Sequence, residues 1–337
     1  METSLTKFKE NYRELLLRFL WRQWSALGVS GYAKSEDDWI IDPEALLLFS
    51  SEIARHDPRH FDEILDWLGE NGDWINQQRL SRMRKDYDFG NGSVIDAMAE
   101  SLKELLPKFK WGSFAKRVAP TQKEVEALYP DQPAPIECDP IFQKFGWLRG
   151  PVRHRSLSTA PRPNQAPAFL FKLRSLFGRQ SRAEVMAWLL AHETGHPAEI
   201  ARQTGYFSRS VQDVLNEMER SGHICATRHG REKYFAIQHA DWHFLITWQN
   251  KSDSRTGFPQ WIHWPALFSF LECFHRLLEN PKLPQMSERM QAIEMRRALE
   301  TAMEKNTDPS LRLDFATRAT GADFLDRTLQ QLSRLLG

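Results

Sequence analysis

The sequence predicts a mainly α-helical protein with one small β-hairpin. Apolar residues recur at helical spacing through most of the 337 residues, and two of these stretches begin with Asp-Pro, a strong helix-start signal. Strand-like stretches are short and few. With 41% hydrophobic and 12% aromatic residues, the chain is not a disordered polypeptide and is long enough for two or three hydrophobic cores.

Composition narrows the classes of function. The net charge is only +1, so any attraction to nucleic acid must come from a local basic surface. Cys138, Cys225 and Cys273 are too far apart for a disulfide framework or a cysteine metal site. The N-terminus lacks an apolar signal core, and no apolar run reaches membrane-spanning length. We therefore expect a cytoplasmic protein with no membrane partner.

Residues 1–118 are predicted to form a helical N-terminal domain. An apolar stripe over residues 7–27 indicates the first helix, which Gly28 ends. Asp42-Pro43 and Asp57-Pro58 begin two further helices, because each pairs a capping side chain with proline in the first turn.

A helix, a turn at Gly72 and another helix make residues 61–83 a possible degenerate second helix–turn–helix. Its outward residues would be Gln77, Gln78, Arg79, Arg82, Arg84 and Lys85. We favour an ordinary helical bundle with a polar face, because no β-wing follows and motifs of this length are common.

Residues 119–167 are predicted to be a Pro-rich, basic linker. Nine prolines lie between residues 120 and 167. Between Ile141 and Ala183 the chain carries nine lysines and arginines and no acidic residue. Such an arm can contact phosphates or lie in a minor groove, and its position before the next domain favours DNA as its partner.

Residues 168–240 are predicted to form a separate domain. After an extra helix near its start, the apolar positions at 185–190 indicate a helix that Pro197 cannot continue. A short strand is expected next, and residues 198–204 form a second helix. Gly205 would end that helix, because glycine readily adopts a positive φ.

A third helix and a hairpin complete this domain. Ser208 is predicted to be the N-cap of the helix, since its hydroxyl can accept a hydrogen bond from a free amide of the first turn. Val211, Leu215 and Met218 lie at i, i+4 and i+7 and would face the core. The strand candidates are residues 223–228 and 233–237, joined by a glycine-containing turn at 229–232.

The run PAEIARQTGYFSRSVQDVLNEMERSGHI and the basic RHGREK after it resemble bacterial winged helix–turn–helix regulators of the ArsR and MarR type. The resemblance implies that the third helix enters the major groove and that the wing contacts the DNA backbone. It thus implies a sequence-specific regulator that binds double-stranded DNA. The candidate DNA-binding residues are Arg179, Arg182, Ser208, Arg209, Ser210, Gln212, Asp213, Asn216, Arg228, His229, Arg231 and Lys233.

Charge leaves a second interpretation open. Residues 182–237 balance seven Lys/Arg against seven Asp/Glu, and Asp213 and Glu217 lie on the presumed reading helix. Phosphate groups repel these carboxylates. The alternative function is therefore a winged-helix module that contacts proteins, as in a regulatory or antitoxin-like partner.

The stretch His192-Glu193-Thr194-Gly195-His196 is a literal H-E-x-x-H sequence. On a continuous helix this spacing brings two imidazoles to one face, where they bind zinc, and the glutamate acts as general base. Here Gly195 and Pro197 oppose such a helix, and no third ligand follows at the expected spacing. A zinc hydrolase is thus a less favoured alternative, and we expect no enzyme, cofactor or metal.

Residues 241–337 are predicted to be a helical C-terminal region for dimerisation or for binding a partner. Leu325, Leu329, Leu332 and Leu336 form one apolar stripe at helical spacing. By analogy with regulators of similar layout, these helices would build a homodimer. Completion of a monomeric core is the other possibility.

Overall fold

Helices dominate the structure, a computed structural model that describes residues 4–31, 37–106, 108–111, 114, 125–246, 257–304 and 321–336. This confirms the predicted mainly α fold class. Among the helices in these ranges, none is both long and apolar enough to cross a membrane.

The N-terminal helices begin where their capping signals predict. The side chain of Asp42 accepts a hydrogen bond from the amide of Ala45, and Asp57 caps the amide of His60 in the same way. The bounds are α1 (Ser4–Ala26), β1 (Trp39–Ile40), α2 (Pro43–Ile53), α3 (Pro58–Asn71), α4 (Gln77–Asp86) and α5 (Gly92–Leu105).

The described part of the predicted linker is attached to these helices. It contains β2 (Glu126–Ala127), α6 (Pro140–Lys144) and β3 (Trp147–Leu148), and β2 pairs with β3 in parallel. The carboxylate of Asp66 on α3 accepts hydrogen bonds from the backbone amides of residues 155–158. These bonds explain why a stretch rich in proline keeps one path along the helices.

The central part of the chain has the predicted order of elements: three helices and a hairpin, preceded by an extra helix. An isolated antiparallel bridge joins Gly195 to Phe235, at the place of the expected short strand. The bounds are α7 (Phe169–Phe177), α8 (Ser181–Ala191), α9 (Pro197–Thr204), α10 (Ser208–Arg220), β4 (Cys225–His229) and β5 (Glu232–Ala236).

The last elements of the chain contact its first elements. Strand β6 (Gln260–Trp261) pairs in parallel with β1. The hydroxyl of Tyr12 on α1 donates a hydrogen bond to the carbonyl of Leu271, 2.8 Å away. The remaining bounds are α11 (Trp264–Leu278), α12 (Glu288–Glu304) and α13 (Gly321–Leu335).

Two hydrophobic cores organise the fold. The larger combines α1–α5 with α11–α13, and we call these elements the helical body. The smaller lies within residues 169–246, the central unit, and also takes in Ile40, Phe258 and Trp261. The helical body therefore unites segments that the predicted division at 118 and 241 placed in separate units.

A buried cluster of ion pairs joins the two cores. Arg79 of α4 lies 2.7 Å from Glu44, and it contacts the carboxylate of Asp42 as well. Arg174 of α7 lies 2.6 Å from both Glu44 and Glu184. Because the side chains of Arg79, Glu44, Arg174 and Glu184 are fully buried, these pairs fix how the central unit contacts the helical body.

Candidate nucleic-acid interface

Helix α10 has one buried and one polar face. Val211, Leu215 and Met218 are buried in the core of the central unit, as their spacing predicts. The side chain of Arg209 is 89% exposed, and that of Asp213 is 57% exposed. The structure thus presents the polar residues of this helix at the surface of the central unit.

Polar side chains on α10 pair with one another along the helix. Arg209 Nε lies 3.4 Å from Asp213 Oδ2, and the amide of Gln212 donates to Asn216 Oδ1 at 3.2 Å. Both pairs have i,i+4 spacing, which brings side chains together on a helix surface. These groups offer hydrogen-bond donors and acceptors of the kinds that read base edges, although Asp213 offsets part of the charge of Arg209.

Ser208 is not the N-cap that the sequence predicts. Phe207 holds that position with extended backbone (φ −67°, ψ 136°), and Ser208 is the first residue of α10. The physical reason is that Gly205 ends α9 at φ 71°, which leaves only Tyr206 and Phe207 to span the turn. Ser208 is exposed beside Ser210, which is half-buried.

Phe207 marks a contact that the sequence pattern did not predict. Its side chain is 64% exposed, and the guanidinium of Arg82 on α4 lies 3.5 Å from the centre of its ring. Stacking of this kind is a favourable cation–π contact. It extends the surface at the start of α10 onto the helical body. An aromatic residue in a polar turn is the only sequence signal for it.

The hairpin ends in a two-residue turn formed by Gly230 and Arg231. Gly230 takes φ 63°, which a residue with a side chain rarely adopts. In the register of β4 and β5, Arg228 lies opposite Lys233 and His229 opposite Glu232. The hairpin tip is exposed, and neither Arg228 nor Arg231 forms an ion pair with a residue that the structure describes.

Lys233 differs from these two residues, because its ammonium group pairs with Glu219 on α10. Arg182 also pairs with α10, through the carboxylate of Glu217. Arg179 donates a hydrogen bond to the backbone carbonyl of Asp73 in the helical body. Arg182 and Lys233 can therefore bind a phosphate only if they first release the carboxylates of Glu217 and Glu219.

Besides Arg182, three of the nine basic residues in the expected basic arm are held by carboxylates. Arg149 is buried and pairs with Asp62 at 2.9 Å, and Arg155 pairs with Glu63. Arg174 is buried in the ion-pair cluster. Burial of a guanidinium requires a nearby carboxylate, and α2, α3 and α8 supply these carboxylates. These three residues are lost from the predicted basic surface, whereas Lys144, Arg153 and Arg162 of the same arm are exposed.

The possible second DNA-binding unit in the helical body loses two of its outward residues. Arg79 is buried, and its Nε donates to the carbonyl of Thr204 at 2.9 Å. Arg84 binds both oxygens of Asp96 at 2.8 Å. Arg79 thus holds α4 against the central unit, and Arg84 holds it against α5, so neither guanidinium is free for DNA.

The H-E-x-x-H stretch is not helical. Helix α8 ends at Ala191, and both His192 and His196 have extended backbone, with ψ of 159° and 140°. His192 stacks on Trp188 with 3.8 Å between ring centroids. His196 caps α9 by accepting a hydrogen bond from the amide of Ala198. The one-face arrangement that a zinc hydrolase needs is therefore missing from this stretch.

Comparison with known proteins adds no relative: no protein-family model matches the chain, and neither curated sequences nor solved structures contain a significant match.

Proposed function

We propose that the chain is a sequence-specific regulator of transcription that binds double-stranded DNA as a winged helix, acting in the cytoplasm. The observation that carries the proposal is the exposed polar face of α10 next to a hairpin whose tip exposes Arg228 and Arg231. The order of three helices and a hairpin also supports it. A recognition helix needs an apolar face that packs on its own domain and a polar face that contacts the major groove.

In this proposal the contacts divide by chemistry. Arg209 suits the two acceptors of guanine, Gln212 and Asn216 suit adenine, and Asp213 can accept from the amino group of cytosine. The hairpin residues Arg228 and Arg231 bind phosphates. Phosphate contacts set affinity and register on the duplex, whereas base contacts select the sequence.

Binding to DNA from upstream of the protein's own coding sequence, and to a scrambled fragment, is measured across a salt series. Arg209→Ala is expected to relax the preference at one base pair by about 1–3 kcal/mol. Arg231→Ala should weaken both fragments alike and reduce the salt slope by about 1. Arg289→Ala, an equal charge change at an exposed position of α12, is the control and should alter neither quantity.

Two outcomes would contradict the proposal. Equal losses on both fragments for Arg209→Ala and Arg231→Ala would remove α10 as the reading helix. Absence of any salt-sensitive preference in the unmodified protein would remove DNA as its ligand.

Contact with a protein partner is the second candidate function. The observation that favours it is the exposure of large apolar side chains on the central unit: Phe207 is 64% exposed and Phe244 is 66% exposed. Aromatic side chains are enriched at protein interfaces. Partner binding that is insensitive to salt, without any DNA shift, would favour this function.

A homodimer on a pseudo-palindromic site remains part of the main proposal. The leucine stripe of α13 is not available for it, because Leu325, Leu332 and Leu336 are buried within the helical body. The dimer contact must therefore use another surface. Light scattering of the protein with and without its DNA measures the stoichiometry directly.

A further inference from the structure

Two histidines and a glutamate that are far apart in sequence converge in the helical body. One possible ligand atom from each of His56, His275 and Glu279 lies within 4.8 Å of the other two. Within the described ranges this is the only such group of three or more His, Cys, Asp or Glu side chains. His275 and Glu279 are one helical turn apart at the end of α11, a spacing that directs both side chains to the same face.

His56 is oriented by a carboxylate. Its Nδ1 lies 2.6 Å from Asp131 Oδ2. The same carboxylate accepts hydrogen bonds from Arg13, 2.9 Å from each oxygen. A carboxylate that holds Nδ1–H leaves Nε2 with a free lone pair, which is the arrangement that supports histidines bound to metals.

His275 is the most deeply buried of the three side chains. It is only 4% exposed, and its ring centroid lies 5.3 Å from that of His56. Imidazole nitrogens are common ligands of transition-metal ions, and the burial of this ring holds one of them in a fixed position.

The third side chain, Glu279, pairs with a partly exposed lysine. Lys9 on α1 lies 2.6 Å from Glu279, and both side chains reach solvent. An exposed lysine is a flexible partner that contributes little to stability. A divalent cation can therefore take its place beside the carboxylate, and Lys9 can turn into water.

We propose that His56, His275 and Glu279 bind one divalent transition-metal ion of the zinc type, with Asp131 supporting His56. Two imidazoles and one carboxylate suit Zn²⁺ or Co²⁺ better than Ca²⁺ or Mg²⁺, which prefer oxygen ligands. Three protein ligands leave the fourth tetrahedral position for water. The site lies outside the central unit and does not depend on its proposed DNA binding.

The experiment titrates tag-free, chelator-treated full-length protein with Zn²⁺ by calorimetry and with Co²⁺ by visible absorption. The unmodified protein is expected to bind one equivalent. Glu279→Gln and His275→Asn should abolish that equivalent, and Asp131→Asn should weaken it about 10–100-fold. Lys9→Gln should bind more tightly, because it removes the competing cation.

The matched control changes the two histidines of the H-E-x-x-H stretch, His192→Ala with His196→Ala, which should still bind one equivalent. Circular dichroism checks that each variant is folded, and Glu279 is exposed enough that its change should not disturb the core. No bound metal in the unmodified protein would overturn the site. Binding that survives both Glu279→Gln and His275→Asn, or that is lost only in the control variant, would also overturn it.

Discussion

The buried imidazole of His60 makes the free energy of unfolding depend on pH. His60 stacks on Trp21 with 4.1 Å between ring centroids, and neither of its ring nitrogens has a hydrogen-bond partner among the described residues. Burial lowers the pKa of His60 to about 3, although Asp57 acts in the opposite direction. The folded state therefore keeps this ring neutral where the unfolded chain, with a pKa of about 6.5, is protonated.

The sign of the resulting prediction follows from this difference. Above about pH 6.5 both states are neutral and His60 has no effect on stability. As the pH falls below that value only the unfolded state gains a proton, so the free energy of unfolding drops by about 1.4 kcal/mol per pH unit. Urea unfolding between pH 7 and pH 5, with chelator present, should show a flatter decline for His60→Phe. Parallel declines for the variant and the unmodified protein would contradict this.

For single residues, the sequence predicted which side chains are buried better than it predicted which residues they contact. The burial of Val211, Leu215 and Met218 follows from spacing alone. The positions of Arg79 and Arg174 do not, because Glu44, which both contact, lies 35 residues from Arg79 and 130 from Arg174, and only the fold brings them together. The predicted site residues on α10 and the hairpin tip are exposed or half-buried. The proposed metal ligands share no local pattern across the gap from His56 to His275.

Between elements, the ion-pair cluster connects the start of α2 with α4, α7 and α8. Burial alone would raise the pKa of Asp42, but the adjacent Arg79 guanidinium lowers it below its ordinary value. Burial raises the pKa of Glu184 despite the nearby Arg174. Three carboxyl groups thus share two guanidinium groups, and removal of either arginine leaves acidic groups buried with too little positive charge.

We expect Arg79→Met to destabilise the protein by about 3–5 kcal/mol, because Asp42 and Glu44 lose a buried partner. The measurement is equilibrium unfolding in urea at pH 7. The comparison variant is Arg327→Met, which removes an exposed pair with Asp323 and should cost less than about 1 kcal/mol. Similar losses for the two variants would show that the cluster does not hold the elements together.

Local signals predicted several element boundaries. Asp-Pro pairs predicted where α2 and α3 begin, and Gly205 predicted where α9 ends. The same signals carry no information on which helices are neighbours. An amphipathic stripe such as that of α13 specifies that an apolar partner exists, and both a second copy and another part of the same chain satisfy it.

For the whole molecule, the contact between the first helix and the last helix closes the helical body. Helix α13 packs on α1, and Leu332 is fully buried there. We expect Leu332→Ala to cost about 2–5 kcal/mol, the usual range for a leucine truncated in a core. Ile293→Ala on α12, where the side chain is 41% exposed, should cost far less in the same thermal or urea unfolding experiment. A small loss for Leu332→Ala would leave α13 free for another partner.

The return of the chain to its own beginning also determines when each part can fold on the ribosome. Tyr12 is hydrogen-bonded to Leu271, and β1 pairs with β6. The N-terminal helices therefore lack these packing partners until the last third of the chain has been made. The central unit draws most of its core from a single continuous stretch. During translation we expect it to fold first, while the earlier helices keep apolar surface exposed until α11–α13 emerge.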